Sequence, residues 1–329
     1  SSRVYRSPMS ARMKIRFDNQ KKSRRNQGQR LRLSKLALLI SAALLVACVV
    51  LLVRYGLQTR SARRLQQEVQ AVYAESAPLV AASAPESAAL PDPAPLAAAQ
   101  AEIAEPLPPA PPAAQSAASS PVVGERFLSL YAKNKDLAGW LKSDAVPEID
   151  FPVVQRDNDY YLYRDFYGRQ NMAGTVFLDQ SVGIQPLSQN LVLHGHNMKN
   201  GTMFGKLYQY LDIHRLRNSP MIEFSTLYES TLYVPYAVAL VSVDAASPRY
   251  VSLVHPAFSS GDELIAYAET LRGMSSFSLP MDVQADDHLL TLITCHGDEQ
   301  HERLVVALRA LRADENPEEL KALFRQLGS

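Results

Sequence analysis

Among the residues whose chemistry a fold can exploit, one thiol stands apart. The 329-residue chain has two cysteines, and Cys48 lies inside a long uncharged run, which leaves Cys295 as the single thiol of the remainder. Cys295 ends the apolar run Leu289-Leu290-Thr291-Leu292-Ile293-Thr294 and opens into the polar loop His296-Gly297-Asp298-Glu299-Gln300. That is the pattern of a strand leaving a sheet, and strand ends are where a rigid scaffold presents reactive groups. A second run, Asn190 to His194, ends in the same manner at His194-Gly195-His196-Asn197. An imidazole that accepts the thiol proton converts it to the nucleophilic thiolate. Arg303 opens the run Leu304-Val305-Val306 eight residues after Cys295. A loop of that length returns the chain antiparallel and brings a guanidinium beside the thiol, where it can stabilise a developing oxyanion. An inert buried cysteine and an intermolecular bridge stay open as alternatives, since free cysteines are commonly buried.

Two residues apart on a strand point the same way, so either His194 or His196 can serve as the acid. His296 points to the opposite face if the strand continues, and Asp298 or Glu299 can orient an imidazole. The seven histidines together with Cys295 invite zinc, but tetrahedral sites use paired local spacings that this pattern does not supply. No glycine-rich phosphate loop, acidic calcium loop or internal repeat is present. The pairs Tyr160-Tyr161 and Tyr208 with Tyr210 read as core or rim aromatics.

These residues need a scaffold, and the charge distribution shows how it is laid out. The formal net charge is +1, from 34 basic and 33 acidic side chains. Residues 1–35 carry twelve Lys or Arg against Asp18 alone, so this arm is +11 and the rest of the chain −10. Leu36 to Val53 follows as 18 uncharged residues rich in Leu, Val and Ala, bracketed by Lys35 and Arg54. At 1.5 Å per residue such a helix approaches the roughly 30 Å hydrocarbon thickness of a bilayer. The excess of positive charge before it predicts a single-pass cell-membrane anchor with a cytoplasmic amino terminus and everything later outside. Residues 55–75 read as a juxtamembrane helix. Residues 76–121 hold 11 of the 21 prolines, with Ala, Ser, Glu and Leu, and read as a semi-rigid linker that lifts the following domain from the membrane.

From residue 122 to 329 the composition is globular, with the only Trp and a net charge of −8, which argues against nucleic acid as a partner. Strand-like runs fall at Ile149–Gln155, Thr175–Leu178, Asn190–His194, Met221–Phe224, Thr231–Val243, His288–Thr294 and Arg303–Leu308. Helical patterns fall at Glu125–Lys135, Met203–Leu211, Asp262–Leu271 and Pro317–Leu327. A mainly β fold, a barrel or sandwich with inserted helices, is the expected class.

These runs, in their order along the chain, resemble a class B sortase. The resemblance rests on Trp140-Leu141, Ile149-Asp150-Phe151-Pro152-Val153-Val154-Gln155 and Asp157-Asn158-Asp159-Tyr160-Tyr161-Leu162. It continues through Gly174-Thr175-Val176-Phe177-Leu178-Asp179, Gly195-His196-Asn197-Met198, Met203-Phe204, Leu292-Ile293-Thr294-Cys295 and Arg303-Leu304-Val305-Val306, covering roughly residues 124–312. It implies an eight-stranded sortase barrel and a cysteine transpeptidase of the Gram-positive cell surface. It assigns His196 as general acid and base, Cys295 as nucleophile and Arg303 to the substrate carbonyl, with Thr294 shaping the oxyanion pocket. By family position Tyr250, Ser252 and Leu253 lie near the substrate groove, and Asp262–Leu271 matches the inserted helix of class B. The reaction implied is cleavage of a sorting signal resembling Asn-Pro-x-Thr followed by Gly, Asn or Ser, through a thioacyl intermediate, and transfer to a peptidoglycan amine. The implied partners are sorting-signal-bearing surface proteins and that amine, with no cofactor. One departure is His194, where the family often has Tyr. A cysteine hydrolase without transfer and a non-catalytic binding module are the rival readings.

Overall fold

The computed structural model describes residues 8–76, 122–295 and 301–327, and of residues 8–34, 37, 58 and 295 the backbone alone. Most of the expected linker lies outside the described residues, as do His296, Asp298 and Glu299. The chain divides into two units, Ser1–Ser61 and Ala62–Ser329.

The first unit is helical, the greater part of a helix α1 that runs from Pro8 to Glu75. Within Leu38–Glu75 an 18-residue window has a mean hydropathy of 2.5 and is unburied. Helices in water keep a polar face. This one has none over Leu36–Val53 and is long and apolar enough to cross a membrane.

In the second unit eight strands close into a barrel. They are β1 (Leu137–Ser143), β2 (Asp150–Val154), β3 (Phe177–Leu178), β4 (Asn190–Gly195), β5 (Ile222–Thr226), β6 (Ser230–Ser242), β7 (Leu289–Cys295) and β8 (Glu302–Ala310). Around the barrel the order is β1-β2-β3-β4-β7-β8-β6-β5, with β5 returning to β1. Six pairings are antiparallel, while β2 with β3 and β4 with β7 are parallel. Strands covered on both faces read as continuous apolar runs, and β4, β7 and β8 do so. Leu191, Val192, Leu193, Leu290, Leu292 and Leu304 to Leu308 are all buried.

Strand β1 was not anticipated. Its Gly139 and Lys142 break the β-branched pattern, and the run is strand only because β2 and β5 pair with it on either side. The helical stretch near Met203 is a 3-10 turn, Phe204–Leu211, not an α-helix. Four further helices are α2 (Leu128–Lys133), α3 (Ile213–Asn218), α4 (Gly261–Gly273) and α5 (Pro317–Arg325). In α4 the residues Leu264, Ala268 and Leu271 recur on one face and are buried, and the Ser260 side chain caps its start by accepting from the Glu263 N–H.

The last turns of α1, from Ala62 onward, belong to the barrel's packing. Val69 is buried, and the Tyr73 ring stacks on Trp140 at 3.9 Å with the planes 1° apart. Gln70 Nε2 donates to the Asp150 carbonyl at 2.6 Å, and the Trp140 indole donates to the Asp150 carboxylate at 2.7 Å. A second cluster lies at the far end of β8, around Arg309. Arg309 is 1% exposed, donating to the Asp282 carbonyl at 2.8 Å and to both Glu315 oxygens at 2.5 and 2.7 Å. Arg312 bonds Asp287 beside it at 2.8 and 2.9 Å.

Arg309 holds the Glu315 carboxyl below its ordinary range. Burial alone would raise Asp282, but the bonds from Arg312 and Gln284 outweigh it and lower it too. Carboxyls depressed by folding stabilise the native state at neutral pH, and that contribution is lost as pH falls through their folded values. Arg309→Met removes one partner of a buried ion pair and should cost roughly 3–5 kcal/mol at neutral pH. Thermal unfolding of the full chain in detergent, followed by Trp140 fluorescence, measures it. The gap to wild type should narrow below about pH 4, where the carboxyls protonate.

Candidate active site

Strand register assembles the site. In the parallel pair β4/β7, Gly195 lies opposite Thr294, so the next residues, His196 and Cys295, leave the two strands side by side. In the antiparallel pair β7/β8, Cys295 lies opposite Arg303. Three residues distant in sequence thus reach one rim of the barrel. The side chain of Cys295 itself lies outside the described residues.

A cleft of about 360 Å³ opens at this rim, with His194, His196, Thr294 and Arg303 among its polar lining. Leu162, Phe177, Val254 and Ile293 supply its apolar wall, and Asn158 and Asp179 complete it. The imidazole of His196 is held by the chain's own backbone, its Nε2 lying 2.8 Å from the Leu162 carbonyl oxygen. A carbonyl only accepts, so Nε2 carries the proton and Nδ1 is the atom left for acid–base work. The Tyr163 ring lies against this imidazole, centroids 5.6 Å apart.

The Leu162 carbonyl is placed by local geometry. It belongs to a 3-10 turn, Tyr160–Tyr163, whose first N–H is capped by the Asp157 carboxylate at 2.7 Å. Gly174 presses on that turn with φ +61°, where a Cβ would lie 2.5 Å from the Leu162 oxygen and 2.6 Å from the Tyr161 oxygen. Only glycine meets both demands. Gly195 is under a comparable constraint, since a Cβ there would meet the Phe204 ring at 2.6 Å. An aromatic side chain therefore packs directly on the backbone that precedes His196.

His194 is held differently. Its Nε2 lies 3.0 Å from Asp179 Oδ2, and its ring stacks on Phe177 with centroids 5.2 Å apart. Asp179 also accepts from Asn158 Nδ2 at 2.9 Å and from the Ser181 hydroxyl at 2.6 Å. Burial alone would raise its pKa, but the bonds from His194 and Ser181 outweigh that and hold it well below the usual carboxylate range. Thr294, 2% exposed, keeps a buried hydroxyl with no hydrogen-bond partner among the described residues. Buried polar groups are ordinarily paired, so this hydroxyl stands out in the cleft wall. Arg303 is half-buried and donates to the Glu302 carbonyl at 2.8 Å.

The residues expected from sequence are distributed unevenly. His196, Thr294 and Arg303 line one cleft, and His194 is part of its wall. Leu253 is buried, while Tyr250 and Ser252 face outward in an alternating run that ends at Val254, the member that lines the cleft. Asn158, Leu162 and Asp179 were not singled out as site residues. Only the polar Asp-Asn-Asp run and an aspartate at the end of an apolar strand signalled two of them, and a backbone carbonyl carries no side-chain signal at all. Among the described residues no group of three His, Cys, Asp or Glu is placed to hold a metal.

Residues 145–310 match the family model of the sortase domain. Sortase B of Listeria monocytogenes serovar 1/2a is 31% identical over 193 residues, spanning 57% of this chain and 76% of that protein. The crystal structure of sortase B from B. anthracis in complex with AAEK2 superposes with a TM-score of 0.52 at 30% identity, covering 58% of this chain and 85% of that one. The Staphylococcus aureus sortase B–substrate complex gives 0.52 at 25% identity, with 58% and 87% covered. Domain match, sequence kinship and barrel topology agree, and the chain belongs to the class B sortases, a family of cysteine transpeptidases.

Proposed function

We propose that this protein cleaves a C-terminal sorting signal resembling Asn-Pro-x-Thr followed by Gly, Asn or Ser, and joins the new Thr carboxyl group to a cell-wall amine. The observation that carries the reading is the register that gathers His196, Cys295 and Arg303 at one rim around a cleft. The Cys295 sulfur, its proton passed to His196 Nδ1, attacks the Thr carbonyl carbon. A C–S bond forms, the C–N bond breaks, and the leaving amine departs with a proton delivered from His196 Nδ1. Arg303 and the open Thr294 hydroxyl stabilise the oxyanion, where charge develops and where a preorganised donor is worth most. An amine from a peptidoglycan stem or cross-bridge then attacks the thioester, giving its proton to the now neutral His196 as the thiolate leaves. Water competes as a slower acceptor.

The apolar run of α1 supports a place in the cell membrane. The basic arm before it supports a cytoplasmic amino terminus and an external catalytic domain, where surface proteins and wall precursors meet the cleft.

Cys295→Ala in the full chain should abolish cleavage of a panel of sorting-signal peptides, and retained cleavage overturns the reading. With wild type, adding a primary amine should divert product from free acid to ligated peptide, as read by mass spectrometry. A product mixture indifferent to amine identifies a hydrolase instead. Gly174→Ala should displace the Leu162 carbonyl and with it the tautomer of His196. Part of the roughly 10²–10⁴-fold supplied by general acid–base catalysis is then lost, so kcat should fall at least about tenfold with the fold intact by circular dichroism.

A further inference from the structure

We propose that His194, oriented by Asp179, is a specificity-determining residue of the cleft that accepts an N–H hydrogen bond from the bound peptide through its Nδ1. The inference rests on the sortase reading and adds to it a recognition element at the position where this chain departs from the family's usual Tyr.

The argument is one of donors and acceptors. An ionised carboxylate only accepts, so Asp179 requires the proton on His194 Nε2, 3.0 Å away. In the neutral ring Nδ1 is then an acceptor, and no hydrogen bond to it exists among the described residues. The ring cannot turn over without breaking the Asp179 bond, and the stacking contact with Phe177 holds its plane. A carboxylate behind an imidazole fixes its tautomer and orientation, the role a buried aspartate plays in hydrolase triads.

The rest of the wall leaves little else for a donor to find. The Leu162 carbonyl is taken by His196. Asp179 is engaged by His194, Asn158 and Ser181, and Asn158 Oδ1 accepts from the Gln180 N–H at 2.8 Å. Arg303 offers donors only. Apart from the Thr294 hydroxyl and His196 Nδ1, which the chemical step engages, His194 Nδ1 is the uncommitted side-chain acceptor of the described lining. Its place on β4 is two residues back from His196, about 6–7 Å along the strand. It therefore meets a part of the peptide displaced from the scissile bond, where an interaction sets KM rather than the chemical step. A peptide offers N–H donors from its backbone and from a side-chain carboxamide, and the test separates the two.

Full chain in detergent is assayed with sorting-signal peptides, and Cys295 is titrated in parallel with iodoacetamide, which carries no peptide. His194→Phe keeps an aromatic ring on Phe177 and removes the acceptor. It should raise KM about tenfold, change kcat less than twofold and leave alkylation unchanged. His194→Gln restores an acceptor oxygen and should recover most of the loss. Asp179→Asn, which frees the tautomer, should raise KM by a smaller factor and serves if the Phe variant fails to fold. Replacing one peptide N–H at a time by an ester oxygen, and the side-chain carboxamide by an ester, should find one donor whose loss costs wild type about the same factor and costs His194→Phe nothing more. Unchanged KM, a joint fall of kcat and alkylation, or ester losses that add fully to the mutation each overturn the inference. A wild type that cleaves no peptide overturns the sortase reading first.

Discussion

The parallel pairing of β4 with β7 is the constraint on which the rest depends. Parallel neighbours end at the same edge of a sheet, so a histidine just past one strand and a cysteine at the close of the other arrive together. An antiparallel pairing would put them at opposite edges. Because β8 runs back along β7, its first residues return to that same edge and bring Arg303 with them. Slipping β7 by one residue would turn its side chains to the opposite face and separate the three groups. The continuous apolar character of β4, β7 and β8 suits strands that are covered on both faces.

Around this rim the polar groups are ordered by backbone as much as by side chains. A 3-10 turn, capped by Asp157 and pressed by a glycine in the left-handed region, aims one carbonyl at His196. A buried aspartate does the equivalent for His194. The two imidazoles thus have the same tautomer for different reasons, one set by a neutral carbonyl and one by a carboxylate. Nearby, the Thr294 hydroxyl has no partner among the described residues, a state that folded proteins seldom tolerate.

Away from the rim, stability rests on two polar anchorages set into apolar packing. One is the Trp140 indole, bonded to Asp150 and covered by Tyr73 from the end of α1. The other is Arg309 among Glu315, Asp282 and Asp287, which ties β8 to the turn before α5. Residues 62–75, part of the expected juxtamembrane helix, so contribute a packed face to the barrel.

Much was legible in the residues themselves. Strand β7, strand β8 and the helix α4 declare themselves by period and by apolar run, because burial on a regular element leaves a regular trace. The uncharged stretch Leu36–Val53 is equally local, a matter of length and composition. Cys295 and Arg303 drew notice because a thiol and a guanidinium at the ends of apolar runs are rare enough to ask for a reason, and β7 and β8 set the two positions opposite each other. Strand β1, the parallel pairing, the Leu162 carbonyl, the Asp179–His194 pair and Val254 were decided by tertiary structure alone. Each depends on which distant segment lies alongside, and no side-chain pattern within one segment records its neighbour across the sheet.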